Sequence, residues 1–179
     1  NYCLILSGVS VIYGSLISLY QTSFKRLLAY GSMVHLGLII FSISLYTPQT
    51  VTAGIFYLFS YIILMLFIFS FMLFLFEKDC YNNLHYLDDI SKFYMHFSNN
   101  IVLSTYFVLI VFSLAGLPFF IGFIAKLYIF ISFIDIFNIF EVLIFLSISV
   151  LSSSYYIRIL RFIFFSNKHN KVKKYSTII

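Results

Sequence analysis

Charged residues are scarce in this sequence: only 9% of its 179 residues are Asp, Glu, Lys or Arg, against about 25% in soluble globular domains. Hydrophobic residues make up 62% of the chain, and the mean hydropathy is +1.03. With so few charges, the chain cannot surround an apolar core with a water-soluble surface. The composition therefore excludes an ordinary soluble domain and predicts an integral membrane protein.

Residues that build cofactor sites are equally sparse. Cys3 and Cys80 match no metal-binding or redox spacing, and neither do His85 and His96. The sequence also lacks a glycine-rich phosphate loop, a nucleophile motif and a haem ligand pair. We therefore expect no cofactor and no metal in this chain. The net charge of +5 does not indicate a nucleic-acid partner, because the cations flank apolar segments instead of forming a basic stripe.

Five apolar stretches are long enough to cross a bilayer, whose core of about 30 Å needs about 20 helical residues. The sequence thus predicts an all-α membrane protein with about five transmembrane helices. A polar loop, 77–100, and a basic tail, 166–179, complete the expected organisation. The predicted helices cover about 3–22, 27–46, 51–76, 101–134 and 139–165.

The fourth stretch is too long for one straight crossing, since its 34 residues would reach about 51 Å as an unbroken helix. Gly116-Leu117-Pro118 falls in its middle, where proline removes a backbone donor and clashes with the preceding turn. We therefore predict a broken helix. Non-helical backbone at that depth requires cover by protein or by a water-filled cavity, so we expect the break inside the bundle beside a functional site.

Cations divide unevenly between the two sides of this topology, and the cation-rich side is read as the matrix or cytoplasm. The loop and the tail fall on that side. Ten of the eleven basic residues lie there: Lys25, Arg26, Lys78, Lys92, Arg158, Arg161, Lys168, Lys171, Lys173 and Lys174. The eleventh is Lys126, inside the broken helix.

Lys126 is the principal candidate for chemistry. It lies eight residues beyond Pro118, far from either membrane surface, where a charged lysine costs about 2.5–3.5 kcal/mol on insertion scales. Desolvation favours the neutral amine, so loss and recovery of a proton become accessible. Two interpretations remain open: a proton carrier, or a structural lysine satisfied by a carboxylate or by carbonyls freed at the break.

Polar residues in the second and third segments are supporting candidates. Ser32 and His35 share a helical stripe, and a neutral imidazole can relay a proton near physiological pH. Tyr57 and Tyr61 lie one turn apart on the third segment, where their hydroxyls either hold water or bond between helices. Glu141 is a candidate for proton exit on the cation-free side, although a solvated carboxylate at the interface is the simpler interpretation. The basic tail either binds anionic lipid or only sets the topology.

Four segments resemble the antiporter-like subunits of respiratory complex I. The two more specific ones are QTSFKRLLAYGSMVHLG (21–37) and SLAGLPFFIGFIAK (113–126), and the weaker ones are GIFYLFSY (54–61) and YYIRILR (155–161). Within that family, His35 and the hydroxyl-rich third segment are more similar to the subunit 2 branch, called chain N in bacteria. The resemblance implies that Lys126 matches the broken-helix lysine of proton translocation and that His35 lies on its hydrophilic axis.

The resemblance covers only the second of two inverted repeats in that family. The sequence also departs from the family pattern at Gly31, where serine is usual, and at Phe119, where a second proline is usual. It implies one antiporter-like half-repeat, for which a separate chain supplies the first repeat.

The implied function is proton translocation in the membrane arm of NADH:ubiquinone oxidoreductase, in the mitochondrial inner membrane. The implied partners are other membrane-arm subunits and lipids such as cardiolipin, with NADH, FMN, iron–sulfur clusters and ubiquinone bound by partner subunits. Phe, Tyr and Ile, which have A/T-rich codons, are abundant and fit an organelle-like genome. The alternatives are a subunit of a multi-chain cation/proton antiporter and a degenerate structural half-subunit.

Overall fold

The computed structural model describes residues 2–21, 23–79, 101–137 and 139–165. These residues form an all-helical bundle, and the fourth predicted helix is indeed broken into two. The six helices are α1 (Tyr2–Tyr20), α2 (Phe24–Ser44), α3 (Pro48–Asp79), α4 (Ile101–Ala115), α5 (Ile121–Ile134) and α6 (Ile139–Phe165). The expected fold class is therefore confirmed.

Three of these helices are long and apolar enough to cross a membrane by themselves: Tyr2–Tyr20, Phe24–Ser44 and Pro48–Leu73. The two pieces of the broken helix, Val102–Ala115 and Ile121–Ile134, are shorter apolar helices. Two of them in series are needed for one crossing, because about 20 residues span the bilayer core. The predicted loop beyond Asp79 and the tail 166–179 lie outside the described residues.

Helix α3 begins three residues earlier than predicted and ends at Asp79, inside the segment assigned to the loop. Thr47 explains the early start, because its Oγ1 accepts a hydrogen bond from the Thr50 backbone N–H at 3.3 Å. This is an N-cap interaction, and Pro48 occupies the first helical position, where its missing N–H costs nothing. The predicted start at residue 51 was therefore three residues too late.

Helix α2 lies at the centre of the bundle, and aromatic clusters surround both of its ends. At its start, Phe24 contacts Phe107 of α4 with ring centroids 5.8 Å apart, and Phe107 contacts Phe71 of α3 at 4.9 Å. Towards its end, Phe41 packs against Phe145 of α6 at 4.5 Å and Phe133 of α5 at 5.5 Å. Ser32 and His35 of α2 therefore lie between two aromatic clusters.

Arg158 of α6 donates a hydrogen bond to the Leu19 carbonyl at the end of α1. The last carbonyls of a helix lack intrahelical donors, so this guanidinium satisfies one of them. Because α2 begins directly after α1, Lys25 and Arg26 lie at the same end of the bundle as Arg158. This arrangement agrees with the expected grouping of cations for the residues that the structure describes.

Glycine at position 122 allows the two halves of the broken helix to meet. A Cβ at Gly122 would lie 1.9 Å from the Ser113 carbonyl oxygen, so no other residue fits without separating α5 from α4. By contrast, a Cβ at Gly8 of α1 would meet no atom within 4 Å.

We predict that Gly122→Ala destabilises the bundle by at least about 2 kcal/mol, since overpacking against fixed backbone typically costs 1–3 kcal/mol. Gly8→Ala, the matched control, should leave stability unchanged or slightly raised. Thermal unfolding of the detergent-solubilised assembly measures both variants. Equal midpoints for the two variants would contradict this packing of the break.

Candidate functional site

Lys126 lies on α5 and points back at the end of α4. Its side chain is only 7% exposed, and its Nζ donates to the carbonyls of Leu114 and Ala115, both at 3.3 Å. The Leu114 carbonyl would normally accept from the N–H four residues later, but that residue is Pro118, which has none. The lysine amine thus replaces backbone donors that the helix break removes.

Gly116 provides the space in which the lysine side chain turns. Its φ is +79°, a left-handed conformation that glycine adopts without steric cost. A Cβ at this position would lie 3.1 Å from Cδ and 3.2 Å from Nζ of Lys126. The glycine is therefore required both by the backbone conformation and by the closeness of the lysine.

His35 of α2 is 1% exposed and has a partner for each ring nitrogen. Nδ1 lies 2.6 Å from the Tyr57 hydroxyl of α3, and Nε2 lies 3.1 Å from the Tyr156 hydroxyl of α6. A neutral imidazole has one donor and one acceptor nitrogen, so one hydroxyl donates and the other accepts. The histidine thereby bridges three helices.

Tyr61 extends this network towards the start of α2. Its ring packs on the His35 ring with centroids 5.1 Å apart, and it lines a larger groove together with Ser32, whose hydroxyl donates to the Ala29 carbonyl. A cavity of about 10 Å³ separates this group from Lys126 and is lined by His35, Tyr57, Tyr61, Ser113 and Lys126 among others. This is about the room that one water molecule needs.

Two larger spaces adjoin the site, one at Tyr61 and the other at Lys126. A groove of about 620 Å³ between α2 and α3 is lined by Lys25, Ser32 and Tyr61 and otherwise mostly by apolar side chains. A cavity of about 170 Å³ between the broken helix and α6 is lined by Lys126, Ser149 and Ser153 among others. The small cavity thus shares Tyr61 with the groove and Lys126 with the cavity beside α6.

The structure brings together Lys126, His35, Ser32, Tyr57 and Tyr61, the predicted candidates of three different helices. Pro118 lies at the break itself and is exposed. Glu141 belongs to the start of α6, but its side chain lies outside the part that the structure describes.

The contact of Tyr156 with His35 and the place of Ser113 in the cavity wall were not predicted from the sequence. Two adjacent tyrosines inside an apolar helix were a usable signal, because a buried hydroxyl needs a partner. They were noted only as part of the segment YYIRILR. Nothing in the sequence indicated Ser113, because its position depends on how closely α5 approaches α4.

Acidic groups contribute little to the described part of the site. Asp135 is the only acidic residue whose side chain is described, and it is exposed at the end of α5, nine residues from Lys126. Such a separation along a helix is about 13 Å. A structural lysine could be satisfied by a carboxylate or by carbonyls freed at the break. The described contacts of Lys126 are with freed carbonyls.

This arrangement is a buried amine and a buried imidazole that share a water-sized cavity inside a helical membrane bundle. It suits the movement of protons between side chains and defines a membrane protein with an internal polar axis. Comparisons with known proteins also identify a membrane protein. Residues 1–152 match the family described as "NADH:quinone oxidoreductase/Mrp antiporter, TM", and the chain belongs to this family.

Among its relatives, NADH-quinone oxidoreductase subunit N of Wolbachia sp. subsp. Brugia malayi is 34% identical over 97% of this chain, which spans 36% of that relative. Two solved structures share the fold at 24% identity. They are respiratory complex I from Thermus thermophilus (TM-score 0.72, 92% of this chain and 36% of that one) and an archaeal membrane-bound sulfane sulfur reductase (TM-score 0.76, 93% and 33%). The predicted resemblance to chain N is confirmed, and this chain spans about a third of the length of these proteins.

We predict that Gly116→Ala lowers stability by about 1–3 kcal/mol, because a non-glycine residue held in the left-handed region costs that much and its Cβ crowds Lys126. The melting midpoint of the assembly measures the loss. Phe119 is the matched control, since it also has a positive φ, of 82°, but is 99% exposed. Phe119→Gly should not lower the midpoint, and a drop as large as that of Gly116→Ala would contradict this assignment.

Proposed function

We propose that this chain is a proton-translocating membrane-arm subunit of mitochondrial NADH:ubiquinone oxidoreductase, with Lys126 as proton carrier and His35 as relay. The observation that carries the proposal is the shared cavity between these two residues in a chain of this family. NADH, FMN, iron–sulfur clusters and ubiquinone belong to partner subunits in this proposal. The chain itself contributes no redox centre.

Lys126 has the environment that a reversible proton carrier needs. Its charged form is stabilised by two carbonyl oxygens, which favour the ammonium by charge–dipole attraction, while burial opposes it. Among the described residues, no carboxylate is placed beside it to lock the charge. A charge that moves in a neighbouring subunit can therefore change the balance between the two protonation states.

His35 passes protons between the Lys126 cavity and the groove that begins at Lys25. A proton that enters at one ring nitrogen is matched by one that leaves at the other, because both nitrogens already have hydroxyl partners. Tyr61 lines both the small cavity and the groove, so its hydroxyl and that of Ser32 lie along the connection. Glu141, near the opposite end of α5, remains the proposed exit group.

The assembly requires the remaining length of the relatives, either from further residues of the same polypeptide or from another chain. We propose a separate chain that carries the first half-repeat, together with other membrane-arm subunits and anionic lipids such as cardiolipin at the basic tail. The abundance of residues that have A/T-rich codons supports the mitochondrial inner membrane, with the tail on the matrix side, although the relative described above is bacterial.

The carbonyl contacts of Lys126 also favour a second candidate, a structural subunit in which the amine only satisfies the broken helix. The two roles differ in what they require of the side chain. A structural role needs a donor, whereas a carrier role needs a group that can release its proton.

We predict that Lys126→Arg reduces NADH-driven proton translocation at least about tenfold, because a guanidinium with a pKa above about 12 keeps its charge and donors but releases no proton. Lys126→Met should also abolish translocation. The measurement is the number of protons moved per electron in reconstituted vesicles, alongside NADH oxidation and the amount of assembled complex. Arg161→Gln, at the exposed basic end of α6, is the control that should leave translocation unchanged.

Full translocation by Lys126→Arg, with loss of assembly in Lys126→Met, would establish the structural role and refute the carrier role. Full translocation in both variants would refute any function of this lysine in pumping.

A native gel of the source membranes in mild detergent tests the assembly. We predict that this chain migrates with NADH dehydrogenase activity and with flavin and iron–sulfur subunits identified by mass spectrometry. A distinct hydrophobic chain with the first half-repeat should be in the same band. A single longer polypeptide that contains both halves would refute the separate-chain proposal, and a smaller band without redox subunits would favour the multi-chain cation/proton antiporter.

A further inference from the structure

We propose that Tyr156 is the positioning residue of His35: its hydroxyl fixes the imidazole so that Nδ1 faces Tyr57 and the cavity beside Lys126. The inference rests on the proposed function of proton transfer through His35. It adds a further helix, α6, to a relay that the sequence assigned only to the broken helix, α2 and α3.

The ring of His35 is held at both ends by hydroxyls from opposite neighbours. The 2.6 Å contact to Tyr57 and the 3.1 Å contact to Tyr156 belong to α3 and α6. A ring with one anchored nitrogen can still turn about its side-chain bonds, whereas two anchors on different helices fix its plane. Packing adds to this restraint, since the rings of His35 and Tyr156 are stacked with centroids 6.1 Å apart.

Gly31 makes the approach of Tyr156 possible. It lies one helical turn before His35 on α2 and therefore on the same face. A Cβ at this position would lie 2.9 Å from the Tyr156 hydroxyl and 3.1 Å from the Tyr155 hydroxyl. Glycine at this position thus leaves room for the hydroxyl that contacts His35.

Tyr155 offers a control at the next residue. It is as deeply buried as Tyr156, at 0% against 1% exposure, and the two rings pack with centroids 4.4 Å apart. Its hydroxyl, however, has no hydrogen-bond partner of ordinary geometry among the described residues. Removing one oxygen from either tyrosine is therefore the same change in volume, but only Tyr156 contacts a ring nitrogen of His35.

The test compares Tyr156→Phe with Tyr155→Phe in the intact complex, by initial rates of proton translocation and NADH oxidation in vesicles. Loss of one neutral hydrogen bond, about 1 kcal/mol, corresponds to about a fivefold lower rate of translocation at 25 °C. We expect that loss in Tyr156→Phe and no loss in Tyr155→Phe. Equal rates in the two variants, at equal assembly, would overturn the inference.

A double variant separates positioning of His35 from a general packing effect. If Tyr156 acts through His35, then Tyr156→Phe should cause no further loss in a His35→Gln background, because interacting residues are not additive. An undiminished fivefold loss in that background would refute the inference. If Tyr156→Phe fails to assemble, Gly31→Ala replaces it, since it keeps every hydroxyl but displaces that of Tyr156, and an unchanged rate there would also refute the inference.

The Lys126→Met complex is measured in parallel. Normal translocation in that variant would refute the proposed function itself. Loss in Lys126→Met together with a normal rate in Tyr156→Phe would refute only the role of Tyr156.

Discussion

The rest of this structure depends on one interaction at the helix break. There the Lys126 amine donates hydrogen bonds to carbonyls that have lost their backbone donors. In an apolar bundle, each unsatisfied carbonyl costs several kcal/mol, and Pro118 guarantees that at least one is left without its usual donor. Lys126 supplies the missing donor, and the break in turn supplies two carbonyl oxygens that make a buried ammonium tolerable. Neither feature would be stable alone.

Several smaller requirements follow from that exchange. Gly116 must be glycine because the lysine passes directly beside it, and Gly122 must be glycine because α5 begins against the backbone of α4. Once the two half-helices are fixed, the amine lies next to a cavity whose other wall is the His35 group. The polar layer of the bundle is thus a consequence of the backbone geometry as much as of the polar residues.

Much of this arrangement could be predicted from the sequence, because hydropathy, helix length and the Gly-Leu-Pro segment depend on local properties. Lys126 and His35 were identified as isolated polar residues in apolar segments, which is the strongest signal that a membrane protein offers. Tyr156 was missed because its importance depends on the rotation of α6 relative to α2, and no local pattern determines that angle. The start of α3 was missed for a simpler reason, since Thr47-Pro48 is a start signal as well as a loop signal.

The contact of Arg158 with the Leu19 carbonyl has a consequence for the axial register of α6. Arg158 follows Tyr156 by two residues, so one helix is held at almost the same height by α1 on one side and by His35 on the other. A slip of α6 by one residue would move it about 1.5 Å along its axis and rotate it by about 100°, which breaks both contacts at once. The axial position of α6 therefore links the Arg158 contact at the end of the bundle to the Tyr156 contact in its interior. A change that moves Arg158 along the helix axis would also move Tyr156 relative to His35.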